Sequence, residues 1–109
     1  MKSRTLKELW DKRNRLLALV EQDKTCGKWC HMDGGYFVPN EKGSAKILRI
    51  TSTYKNMRKR IVDGWIAAGQ ISDRDILSEF TVFDGDRVTG TVIKRDYTKA
   101  YYKYQDMPI

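Results

Sequence analysis

SAKILRITSTYKNMRKRIVDGWIAAG, Ser44 to Gly69, joins an apolar stripe to the densest run of positive charge in the chain. Tyr54, Met57, Ile61, Trp65 and Ala68 recur at gaps of three and four, the spacing of one face of an α-helix. Lys55, Arg58, Lys59 and Arg60 fall mainly between those positions and would project into solvent. Thr51, Ser52 and Thr53 carry hydroxyls suited to an N-cap, because such an oxygen accepts from a free amide of the first turn. Gly69 stands where a left-handed residue would close the helix. The pattern predicts a helix from about Thr53 to Ala68. Gly64 lies inside it, at a cost of roughly 1 kcal/mol relative to alanine.

Upstream the reading divides. Ile47, Ile50 and Thr51 are β-branched and favour a strand, yet Ile47, Ile50 and Tyr54 also extend the helical stripe. A strand over Lys46 to Thr51 is the expectation here. It would pair with Tyr36-Phe37-Val38 across the turn chemistry of Pro39-Asn40-Glu41-Lys42-Gly43.

The N-terminal segment is clearer. Thr5 and Glu8 are spaced as a capping box, and Leu6, Leu9, Trp10, Leu16, Leu17 and Val20 make a helical stripe. Glu8 with Lys12, and Asp11 with Arg15, are favourable pairs four apart. A helix over Thr5 to Asp23 follows. Lys2, Arg4, Lys7, Lys12, Arg13 and Arg15 give this end its own positive field.

Thr25 to Gly35 loses periodicity and gains glycine, so it reads as a loop. Cys26, Cys30, His31 and Asp33 are zinc-ligand types, but familiar structural sites need a second, distant pair, and His31 is the sole histidine. Free thiols in a structural loop are the expectation, with no metal and no cofactor. A Cys/His nucleophile fares no better, since sequence neighbours rarely reach hydrogen-bonding geometry. Trp29 and Phe37 would fill the space beneath the loop.

Beyond the central helix, Ser72 and Asp75 suggest a second cap and a short helix over Asp73 to Glu79. The two helices have the outline of a helix-turn-helix, but Asp73, Asp75 and Glu79 against Arg74 leave the second one net acidic, unsuited to a phosphate-lined groove. From Phe80 the period becomes two. Asp84-Gly85 between β-branched runs signals a hairpin, and Gly90 marks a bulge or a close approach. The hairpin aspartates read as turn residues bonding their own backbone rather than metal ligands. Tyr97, Tyr101 and Tyr104 fit a helix, while Thr98, Tyr102 and Tyr104 fit a strand. A third strand is expected because tyrosine and threonine favour sheets.

Residues 1–109 are thus read as a single small basic domain of α+β class. A long N-terminal helix, a central basic helix and a short helix would pack on a small antiparallel C-terminal sheet. Ile61, Trp65, Ile76, Phe80, Val82, Val92 and Ile93 are the expected shared core.

Lys and Arg number 21 against 14 Asp and Glu, a formal net charge of +7. That excess admits nucleic acid, an anionic surface or an acidic protein as partner. No apolar run spans a bilayer, and MKSRTLKELWDKRNR lacks the apolar core of a signal peptide, so a cytoplasmic protein without membrane contact is expected. No glycine-rich phosphate loop and no acid-base pair suggest catalysis. Lys55, Arg58, Lys59 and Arg60, together with Lys94, Arg95, Tyr97, Lys99, Tyr101 and Lys103, are the candidate binding residues. Lysines neutralise phosphates while tyrosine faces stack on bases. Two further readings stand beside this one: a regulator or inhibitor docking on an acidic surface of a larger protein, and a small metal-independent ribonuclease. The pattern sets no oligomeric state.

Overall fold

The computed structural model describes residues 2–109, apart from the side chain of Asp33. Helix α1 spans Leu6–Gln22. Thr5 caps it by accepting from the Glu8 amide, and the Glu8 carboxylate accepts from the Arg4 amide, one residue upstream of its place in a capping box. Strands β1 (Gly27–Cys30) and β2 (Tyr36–Pro39) pair antiparallel, with Trp29 opposite Phe37. So the segment read as a loop contributes a strand, and Tyr36–Pro39 is the second arm of this hairpin rather than the first arm of a later one. Trp29 lies half exposed on it, its ring against Phe37 and its indole N–H donating to the Glu21 carbonyl. It does not enter the core.

Helix α2 runs from Glu41 to Ala67, starting well before the expected Thr53 and absorbing the expected strand over Lys46 to Thr51. Asn40 is the N-cap, its side chain accepting from the Gly43 amide. The β-branched residues are accommodated because Ile47 and Ile50 follow the stripe to Tyr54, and the Thr51 hydroxyl bonds back to the Ile47 carbonyl at 2.9 Å. The helix closes as expected. Gly69 has φ +75°, and the amides of Gly69 and Gln70 return to Ile66 and Trp65.

Asp73–Ile76 is a single 3-10 turn, not a helix reaching Glu79, and Ser72 makes no side-chain capping bond to it. With no second helix, a helix-turn-helix is ruled out. Strands β3 (Leu77–Asp84) and β4 (Arg87–Arg95) form an antiparallel hairpin. It turns on Gly85 at φ +65°, and the register shifts between Val82 and Phe83, opposite Gly90. The expected third strand is instead helix α3, Tyr97–Tyr104. The Asp96 carboxylate accepts from the amides of Thr98 and Lys99, a strong helix start that outweighs the sheet preference of tyrosine.

The architecture of the described residues is α+β: three helices and two small two-stranded antiparallel sheets. The core lies between the helices. Leu6 and Leu9 of α1, Tyr54, Val62 and Trp65 of α2, Ile71, Ile76 and Ala100 are buried together. Leu6, Val62 and Ile76 are fully enclosed, each worth about 1.5–3 kcal/mol. Trp10 and Trp65 pack edge-on against Tyr54 and Tyr104. The expected core is therefore half right. Trp65 and Ile76 are buried, and Ile61 packs on the core, but Val82, Val92 and Ile93 are exposed. The hairpin does not lie on the helices; from Thr81 to Lys94 every residue is exposed. Among the described residues, no helix is long and apolar enough to cross a membrane.

Candidate functional site

An open cleft of about 860 Å³ lies where α2 meets the base of the hairpin and the start of α3. Helical periodicity puts Lys55, Arg58 and Lys59 on one side of α2, and all three line the cleft. From the hairpin come Phe80, Lys94 and Arg95; from the first turn of α3 come Asp96, Tyr97 and Thr98.

Asp63, one turn beyond Lys59, ties the three elements together. Its carboxylate accepts from Arg95 Nη1 at 2.9 Å, from the Tyr97 hydroxyl at 2.7 Å and from Lys59 Nζ at 3.1 Å. Partial burial pushes the Asp63 carboxyl up, but the bonds from Tyr97, Lys59 and Arg95 outweigh it and hold the group below its ordinary value. The same contact keeps Lys59 and Arg95 above theirs. Burial, then Asp63, raises Tyr97, which stays a neutral phenol.

Lys94 Nζ sits 4.8 Å from the Phe80 ring centre and Lys59 Nζ 5.9 Å from that of Tyr97, so both rings are faced by cations. Arg58 lies 5.3 Å from the ring of buried Tyr54. Burial raises the Tyr54 phenol, with Arg58 opposing. Asp96 is committed to capping α3 and Asp63 to its three donors. Five cations thus face two occupied carboxylates.

Six of the ten sequence-predicted residues meet here: Lys55, Arg58, Lys59, Lys94, Arg95 and Tyr97. Four do not. Arg60 is exposed on α2 but does not line the cleft. Lys99 donates to the Leu77 carbonyl at 3.1 Å. Lys103 lies 3.6 Å from Asp75. Tyr101 packs on the core beside Trp10 and Tyr102. Because residues 97–104 are helical, Lys99 and Lys103 do not share a face with Tyr97 as they would on a strand, and Tyr101, on the same face, lies a turn further on against Trp10. The sequence reading missed Phe80, assigned to the core, and Asp63, not singled out at all. The alternation that puts Phe80 on one face with Lys94 was visible; nothing local marked Asp63.

The cysteines do not meet at this cleft. Cys26 is buried with its thiol 3.4 Å from Asp23, and Cys30 is part-exposed on β1; both are free. Hydrogen bonds from Thr25, chiefly its hydroxyl, lower Asp23 to about 2. Hydrogen bonding with Tyr36, then with the Met32 backbone, holds the Cys30 thiol below its ordinary value. Comparison with protein families, characterised proteins and solved structures finds no match to this chain.

Proposed function

We propose that the protein binds nucleic acid, without catalysis, in the cleft between α2, the hairpin base and α3. One observation carries the reading: five cations converge from α2 and β4 around two ring faces, with both nearby carboxylates already engaged. Lys55, Arg58 and Lys94 have no acidic partner in an ion pair among the described residues. Such groups exchange counterions for backbone phosphates, and Phe80 and Tyr97 offer faces for an unpaired base. Ring faces able to stack on bases favour a single strand, whose bases are free, over a duplex.

Fluorescent single- and double-stranded DNA and RNA, titrated over a range of salt, test this. The expected result is submicromolar binding of single strands near physiological salt, with log affinity falling by about 0.7 per phosphate neutralised as log salt rises. Lys55→Glu with Arg58→Glu should weaken binding at least tenfold, about 1.4 kcal/mol, and flatten the salt dependence. The RNA should be recovered intact. Binding indifferent to both substitutions, or to salt, would remove the cleft from consideration.

A further inference from the structure

The hairpin β3–β4 is the least covered element of the fold. Val82 and Val92 stand exposed on one face, and Phe83, Val88 and Ile93 on the other. A lone two-stranded ribbon is marginal in water, and its bare edges and apolar faces favour a covering partner. Its charges balance, Arg87, Lys94 and Arg95 against Glu79, Asp84 and Asp86, so the whole excess of +7 resides elsewhere in the chain. At the tip, Phe83 and Val88 sit beside Asp84 and Asp86, with Arg87 opposite Asp84 in the register, and neither aspartate makes an ion pair among the described residues. Two carboxylates against one guanidinium leave the apolar tip net negative, a poor match for phosphate.

The same chain carries a matching surface. Between α1 and α2 lies a mainly apolar groove of about 220 Å³, separated from the cleft by Arg58 over the Tyr54 ring. Leu16, Ile50 and Met57 line it, with Lys12, Arg13 and Arg49 beside them and no carboxylate. These three cations make no ion pair among the described residues. The tip is apolar and negative; the groove is apolar and positive. Within one chain they do not meet, since β3 and β4 touch chiefly each other.

We infer that the hairpin tip of one chain docks in the α1–α2 groove of a second copy. Phe83 covers Leu16, Ile50 and Met57, while Asp84 and Asp86 face Lys12, Arg13 and Arg49. Two different patches meet, so the contact is heterologous, and repetition closes a ring or extends a chain of subunits.

Sedimentation of the full protein, without nucleic acid, tests this independently of the cleft. The mass should rise above the 12.7 kDa of one chain as concentration moves from micromolar to millimolar, more so at low salt. Asp84→Lys with Asp86→Lys, or Lys12→Glu with Arg49→Glu, should raise the concentration required at least about tenfold. All four positions are exposed, so circular dichroism should be unchanged. Mixing the two variants, or placing all four substitutions in one chain, should restore association. Wild type that stays a single chain overturns the inference, as do variants that associate like wild type or a mixture that does not. Uptake of an acidic, aromatic peptide by a groove that ignores its own hairpin would also overturn it, by giving the groove a different protein partner.

Discussion

Asp63 holds the cleft in shape while opposing its charge. Three donors from three elements converge on a carboxylate whose side chain is only 30 % exposed, so hydrogen bonds to a charged group are made in partly shielded surroundings. Asp63→Asn keeps the size and removes the charge. It should cost about 1–3 kcal/mol, read as a lower denaturant midpoint. A carboxyl held below its ordinary value of 3.8 stabilises the fold at pH above that value, and the contribution drains away as pH falls through the lowered one. Stability of the wild type should therefore fall between about pH 5 and the lowered value, and Asp63→Asn should flatten part of that fall. If the proposed function is right, the same substitution frees Lys59 and Arg95. Affinity for a single strand should then rise, with a salt slope steeper by about 1. A variant both less stable and weaker in binding would mean that shape outweighs charge at this site.

Helix α2 shows how far local pattern reaches and where tertiary contact takes over. Its second half, its stripe and its glycine closure are readable from spacing, as is α1. Its first half is not, because Asn40 and Gly43 look like turn residues. The fold uses them otherwise: Asn40 caps the helix, and Gly43 lets its first turn ride over Cys26. A Cβ at Gly43 would collide with the Cys26 carbonyl oxygen and lie 2.9 Å from the carbonyl carbon. Gly43→Ala, a gain of propensity in an isolated helix, should therefore destabilise this protein by about 1–3 kcal/mol, measured by thermal unfolding. An unchanged or raised midpoint would show that the backbone at Cys26 yields easily. Helix α3 failed for the complementary reason: tyrosines read as sheet formers are held in a helix by the Asp96 cap and by rings packed against Trp10 and Trp65. The cleft was legible as charge on α2 and β4. Its assembly was not, because the side chains that close it, Arg95 and Tyr97, meet α2 at Asp63, more than thirty residues away in sequence.

The molecule spans 46 × 44 × 23 Å with a radius of gyration of 17.4 Å, against about 13 Å for a compact chain of this length. The excess reflects an arm that carries no net charge and projects from a body that carries it all. That segregation separates two jobs. The body and the base of the arm attract phosphate over a Debye length of about 8 Å at physiological salt, while the tip is free to touch another subunit. If the proposed cleft and the inferred contact both operate, neighbours on one strand bind cooperatively, because each bound chain presents a tip or a groove to the next. Phe83→Ser separates the effects, since it removes the apolar contact without altering charge. On a single-site oligonucleotide its affinity should match wild type. On a strand long enough for many copies, wild type should pass from bare to filled with few intermediates, whereas Phe83→Ser should fill it as a graded ladder of bands. Loss of affinity on the short oligonucleotide would place Phe83 in nucleic-acid contact instead. Retained cooperativity on the long strand would mean that neighbouring chains meet through another surface.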